Sequence, residues 1–299
     1  MINLNKKTGK YEYTSPNGKV YSSHNKKYIE YRAGLFSNAS DQTVDAEQPE
    51  VQQFCINTRF EFLANFVTMV AEKIQPSVIV AGDGGLGKSY VVTKSLAAAG
   101  LVDVSNVENF MEGERLPTNR FRVVKGYSTP KALYRLLYEN KDSVLVLDDI
   151  DSTLTDPTCA NLLKGALDTT RERILTWNSE ATFGDDGLPR AFRFTGGVVV
   201  ITNLPKHKIP GPLRTRSICV DVSMTLVEKI ARMSKILFED DFMPEVDAEI
   251  KQLALKTIDE NKESAKEISM RSLHQVIRIA QMFGGEKFQD MSKYALTNT

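Results

Sequence analysis

The residues best suited to chemistry form one short run, Gly82-Asp83-Gly84-Gly85-Leu86-Gly87-Lys88-Ser89, which meets the spacing GxxxxGK[ST] at every fixed position. Glycines at that spacing let successive backbone N–H groups turn inward on phosphates, and a helix starting behind them adds the positive end of its dipole. Lys88 is then placed to reach the outer phosphates and the Ser89 hydroxyl to ligate Mg²⁺, with Tyr90 following in the same turn. A Gly-rich turn that merely precedes Lys-Ser would lack the apolar strand-like run Ser77–Ala81 before it and the helical stretch from Lys88 to about Ala99 after it. A second constellation agrees with the first. Val144-Leu145-Val146-Leu147-Asp148-Asp149 ends an apolar run in two carboxylates, and the C-terminal edge of a parallel sheet would set them beside the phosphate loop. There Asp148 would hold the Mg²⁺ shell and Asp149 would orient or deprotonate an attacking water. The chemistry so implied is the binding of a phosphate chain with Mg²⁺ and its attack by water.

Such a site needs a sheet to carry it. Ser77–Ala81, Phe121–Val124, Ser143–Leu147, Val198–Thr202 and Ile218–Val222 are apolar runs of buried-strand type, separated by helical stretches. That alternation predicts an α/β fold with a five-stranded parallel sheet covered on both faces. Upstream, apolar residues from Val51 to Val70 recur at helical spacing. Downstream of about Thr225 only helical patterns remain, over Leu226–Phe238, Glu245–Asn261 and Ser269–Phe283. The expected organisation is a small polar appendage at 1–46, an α/β nucleotide-binding domain at 47–224 and an all-helical domain at 225–299. Within the appendage, Tyr11–Tyr21 alternates around Pro16-Asn17-Gly18 as a hairpin would.

The whole chain sets bounds on these readings. It has 299 residues, 38 Lys plus Arg against 38 Asp plus Glu, so a nucleic-acid partner would need a local stripe of charge. The three cysteines, Cys55, Cys159 and Cys219, form no CxxC pair and are expected to be reduced, buried residues. No apolar run approaches the ~18 residues that span a bilayer, and the first thirty residues lack a signal-peptide core, which predicts a soluble, cytoplasmic protein without a membrane partner.

With these motifs the stretch from about residue 50 to 283 resembles the AAA+ ATPase superfamily. The resemblance implies a homo-oligomeric ring, of hexamer type, with Mg-ATP between subunits. It makes Asn203, at the end of Val198–Thr202, the candidate sensor of the γ-phosphate or its water. Gly211-Pro212-Leu213-Arg214-Thr215-Arg216-Ser217 is similar to the family's arginine-finger segment, with Arg216 the first candidate and Arg214 the second. Arg271, in Ile268-Ser269-Met270-Arg271-Ser272-Leu273, corresponds to the second sensor on the lid. Two alternating stretches, Arg173–Trp177 and Arg190–Phe194, suggest a hairpin before the sensor strand. That resembles the branch holding superfamily-3 viral helicases, the MoxR group, branch-migration motors and Clp-type unfoldases. Asp148-Asp149 in place of the commoner Asp-Glu tilts the reading toward a viral or mobile-element type, hence a host cytoplasm. Arg171 and Arg173 are further interface candidates.

The substrate is left open. Lys125-Gly126-Tyr127-Ser128 stands where the family places its first pore loop, and Tyr127 would suit a polypeptide grip or the stacking of a base beside Lys125. The hairpin tip Gly184-Asp185-Asp186-Gly187 is acidic, Arg190 and Arg193 beside it are basic, and Lys206-His207-Lys208 adds a small basic loop. Residues 1–32 carry Lys6, Lys7, Lys10, Lys19, Lys26, Lys27 and Arg32, which would serve as a nucleic-acid arm or simply as a soluble tail. A DNA or RNA motor of helicase, loader or initiator type is the favoured reading, and a chaperone acting on a protein client is the alternative. His24, His207 and His274 form no metal constellation, and Trp177 reads as a packing residue.

Overall fold

A computed structural model describes residues 2–5, 10–14, 20–23, 54–106, 116–170, 172–177, 187–239 and 241–298. The chain divides into two compact units, Met1–Gln53 and Phe54–Thr299. The first unit holds an antiparallel sheet of β1 (Ile2–Asn5), β2 (Lys10–Thr14) and β3 (Val20–Ser23), in that order. β2 and β3 pair antiparallel as the expected hairpin would, with Tyr13 opposite Tyr21, while the turn at Pro16–Gly18 lies outside the described residues. Most of the basic residues named in this segment lie outside them too, Lys10 excepted.

In the second unit α1 (Ile56–Ala71) leads to β4 (Ser77–Ala81), the phosphate loop and α2 (Lys88–Ala98). There follow β5 (Val102–Asp103), β6 (Arg120–Lys125), α3 (Pro130–Glu139), β7 (Val144–Asp148), α4 (Asp151–Thr155) and α5 (Pro157–Ala166). Next come β8 (Arg173–Thr176), β9 (Ala191–Phe194), β10 (Gly197–Thr202), α6 (Gly211–Arg214) and β11 (Ile218–Asp221). Four helices end the chain: α7 (Leu226–Leu237), α8 (Ala248–Asn261), α9 (Met270–Met282) and α10 (Gly285–Asn298).

The parallel sheet runs β11-β4-β10-β7-β6-β5. It contains the five expected strands and a sixth, β5, which the sequence hides because it is two exposed residues at the edge. Each central strand is buried on both faces, and alternate residues feed different cores. Ile79, Leu145, Leu147 and Val200 join α3 and α5 on one side, whereas Val78, Val80, Val146 and Val199 join α1 and α2 on the other. Full burial of such side chains stabilises by about 1.5–3 kcal/mol each, which fixes the register and so the positions of the strand ends.

The expected hairpin forms, with Arg173 opposite Phe194 and Thr176 opposite Ala191. Leu175, Phe192 and Phe194 turn inward to the first of these cores, and Trp177 packs 5.6 Å from the Tyr134 ring, as a packing residue should. Residues 178–186, including most of the acidic tip, lie outside the described residues, as does Arg171. The C-terminal helices have a core of their own, with Leu237, Ala254, Ile258, Leu273, Val276 and Phe288. α10 is an addition to the helices that periodicity predicted, and two cysteines are corrections: Cys55 is exposed at the start of α1 and Cys219 is half-buried, leaving only Cys159 buried as expected. Among the described residues no helix is long and apolar enough to cross a membrane.

Candidate functional site

Strand order brings the predicted site residues together. β10 lies between β4 and β7, with Thr202 beside Ala81 and Ile201 beside Asp148. The phosphate loop, the two carboxylates and Asn203 therefore leave the same sheet edge side by side. They line a cleft of about 460 Å³ bounded by Gly84–Tyr90, Asp148, Asp149, Asp151, Asn203 and Arg271.

The loop's shape follows from its glycines. Gly82, Gly85 and Gly87 all have positive φ, a conformation that side chains with a Cβ resist. Gly85 is also close-packed: a Cβ there would lie 2.9 Å from Ser269 Cβ, and its carbonyl accepts the Met270 N–H at 2.8 Å. The N-terminus of α9 is thus seated on the phosphate loop. Ser269 and Ser272 close a capping box there, and exposed Arg271 comes to the rim of the cleft.

Lys88 is 5% exposed, and its ammonium donates to Gly82 O at 2.5 Å, Asp83 O at 2.7 Å and Asn203 Oδ1 at 2.9 Å. Burial pulls its pKa below the usual lysine value, opposed by the carboxylates of Asp149, Asp148, Asp83 and Asp151. The Ser89 hydroxyl donates to Asp148 Oδ2 at 2.9 Å. Asn203 uses the other end of its amide on Asp149 Oδ1, 2.8 Å away. Asp149 has φ 55 and gives its N–H to Ile201 O, which turns it out from the strand into the cleft while Asp148 stays buried.

A hydroxyl against a buried carboxylate is a hard oxygen pair of the kind Mg²⁺ prefers when phosphates supply further ligands. The inward loop, the buried cation and the helix start behind it suit a polyphosphate. The residues present therefore fit Mg-ATP, with Gly82–Lys88 to hold phosphates and Ser89 and Asp148 to hold the metal.

Tyr90 lines the cleft, but its hydroxyl is engaged with the Asp241 carboxylate, which Lys94 also reaches at 2.7 Å. Lys229 faces Asp83 at 3.8 Å, and Arg59, buried under α7, binds Glu228 and the carbonyls of Asp221 and Ser223. These contacts join the helical region to the loop and the sheet.

Arg214 and Arg216 lie elsewhere. They precede β11, whose first residue pairs with Val78, and the Ser77 and Ser217 hydroxyls meet at 2.7 Å at the sheet edge opposite the loop. The Arg216 guanidinium donates to Pro212 O and faces Asp168 at 3.9 Å. The Lys125–Ser128 segment follows β6 beside the carboxylate strand. Lys125 Nζ is 3.8 Å from Asp148 Oδ2, Gly126 has φ 87, and Tyr127 is 64% exposed. Asp151, with its carboxylate on Thr202 and Asn203, is a member of the cleft that the sequence reading passed over. The only signal was a third aspartate two residues beyond the pair.

No family model matches the chain. A curated relative from Enterobacteria phage T4, an uncharacterized 36.7 kDa protein in the nrdC-mobD intergenic region, is 28% identical over 233 residues, 71% of this chain and 67% of the relative. Its phage source accords with the expected viral or mobile-element type. Among solved structures, Drosophila ORC bound to DNA is 14% identical with a TM-score of 0.41, covering 89% of this chain and 72% of that one. The FIGL-1 AAA domain in complex with ADP is 12% identical with a TM-score of 0.34, covering 90% and 78%. Both likenesses are distant. The phosphate loop, the carboxylate strand, the asparagine strand between them and the helical region seated on the loop stand in the order that the motif resemblance implies.

Proposed function

We propose that the chain is an ATP-hydrolysing AAA+ ring motor that remodels or translocates nucleic acid. One observation carries the ATPase reading: Lys88, Asn203 and Asp149 form a continuous hydrogen-bonded chain across the cleft from the Ser89–Asp148 pair. In this reading Lys88 exchanges its loop carbonyls for the outer phosphates, and Ser89 and Asp148 hold the metal. Bound Mg²⁺ would neutralise charge on the phosphates. Asp149, fixed by Asn203, takes the proton of the attacking water, and Asn203 marks where that water must lie. Arg271 approaches the same nucleotide from the helical region. Arg216, with Arg214 behind it, sits at the far sheet edge and acts on a neighbour's nucleotide, which requires the ring.

The exposed Lys125-Gly126-Tyr127 segment supports a nucleic-acid substrate, since it pairs a cation with a ring that can stack a base. The test is steady-state ATPase activity with and without single-stranded DNA, double-stranded DNA and RNA, at low and moderate salt. Salt-sensitive stimulation by one of them is expected. Activity that is flat across all three and rises with an unfolded protein would replace this substrate by a protein client, the other partner an exposed Tyr127 suits.

A further inference from the structure

We infer that Asp151 is a positioning residue for hydrolysis, acting through Asn203. The inference rests on the ATP-hydrolysing reading above and adds a residue to it.

Asp151 is the first residue of α4, yet its carboxylate makes no cap for that helix, whose N-cap is Ile150. It crosses to the end of β10 instead. Oδ1 accepts the Thr202 hydroxyl at 2.5 Å and the Asn203 backbone N–H at 3.2 Å. Thr202 is fully buried, and its oxygen in turn accepts the Leu204 N–H at 3.1 Å. Backbone on both sides of the Asn203 side chain is thus tied down, directly or through one hydroxyl, by a single carboxylate oxygen. β10 has just left the sheet here, so no strand neighbour could supply these bonds.

What this fixes is the direction of one amide. Asn203 Oδ1 faces the Lys88 ammonium and Nδ2 faces Asp149 Oδ1, at 2.9 and 2.8 Å. The chemistry allows only this orientation, because an ammonium needs an acceptor and a carboxylate a donor. If the Asn203 backbone drifts, both contacts loosen together, and Asp149 loses its side-chain partner at the moment it must face water. A displacement of ~1 Å in such a group costs about 10²-fold in rate.

The test compares Asp151→Ala with Asp151→Asn in the full-length protein. Asparagine keeps an Oδ1 that can accept both bonds, and alanine keeps neither. For Asp151→Ala, kcat should fall about 10²-fold while affinity for an Mg-bound, non-hydrolysable ATP analogue changes less than about threefold. Asp151→Asn should recover most of the rate. A second readout needs no turnover: the Asn203 side-chain amide resonance in the nucleotide-free protein should lie away from free-asparagine positions in the wild type and Asp151→Asn, and move to them in Asp151→Ala. An Asp151→Ala protein that hydrolyses like the wild type, or an Asp151→Asn protein as impaired as the alanine variant, would overturn the inference. A wild type without turnover whose amide resonance still depends on Asp151 would instead overturn the ATPase reading and leave the positioning contact standing.

Discussion

Replacing Lys88 by methionine separates what the lysine does for the nucleotide from what it costs the fold. Its ammonium is held by two loop carbonyls and Asn203, and burial pulls its pKa down despite four nearby carboxylates. The unfolded chain therefore binds this proton more tightly than the folded one, and folding stability rises with pH between the depressed value and the ordinary lysine value of about 10.4. Below that window the charge is carried at a cost. Lys88→Met removes that cost while keeping the aliphatic stem, but it also strands the Gly82 and Asp83 carbonyls and Asn203 Oδ1, so without ligand its Tm should stay within a few degrees of the wild type. With ligand the two diverge. An Mg-bound, non-hydrolysable ATP analogue at about a hundred times its Kd stabilises a binding protein by ~2.7 kcal/mol. At about 2–4 °C per kcal/mol for a unit of this size, the wild type should gain roughly 5–11 °C in Tm and Lys88→Met almost nothing. Differential scanning fluorimetry with and without the analogue measures both. A Lys88→Met protein that melts several degrees below the wild type without ligand, or that keeps the ligand shift, would refute this reasoning.

Three other substitutions, two beside the cleft and one at the far sheet edge, have defined outcomes. Arg59→Ala should lower stability in urea by about 2–4 kcal/mol, because it strands the Glu228 carboxylate and two carbonyls. Against the opposing effect of burial, the Thr225 N–H and the Arg59 guanidinium hold the Glu228 carboxyl below its usual range, so that stabilisation is present above the ordinary Glu pKa and disappears as pH falls through the depressed one. Gly85→Ala should cost about 1–3 kcal/mol and weaken nucleotide binding, since φ is +70° and the new methyl meets Ser269. Isothermal titration on the folded variant checks the second part, and unchanged affinity would detach the α9 contact from nucleotide binding. Arg216→Ala should keep analogue affinity and lose turnover, and mixing it with Lys88→Met subunits should restore part of the rate at hybrid interfaces; a mixture that stays inactive counts against a finger acting in trans.

The strands and the phosphate loop were legible because their signals are contiguous. Each of the five expected strands is an apolar run closed by polar residues, and the loop's glycines and Lys88-Ser89 carry their chemistry in eight consecutive positions. Asn203 was legible only as a position at a strand end; its bridge between Lys88 and Asp149 depends on β10 entering between β4 and β7, which no local pattern encodes. Asp151 was hidden by company, a third acidic residue that reads as a solvated helix start. The seat of α9 on Gly85 is a backbone bond between residues far apart in the chain, so nothing in either segment announces it. α10 escaped notice because its buried residues, Phe288, Ser292 and Leu296, include a serine and lie among charged neighbours. Cysteine is usually buried, but Cys55 stands exposed before the first turn of α1 and Cys219 is half-buried, positions that residue type alone does not reveal.

The proposed hydrolysis of ATP with Mg²⁺ in this cleft runs through Asp149. Phosphate release by the wild type and Asp149→Asn, each with Mg²⁺ and with a chelator, tests it most directly when analogue affinity is measured alongside. The wild type should turn over only with Mg²⁺, and Asp149→Asn should bind the analogue normally yet turn over at least about 10²-fold more slowly. Normal turnover by Asp149→Asn would contradict it.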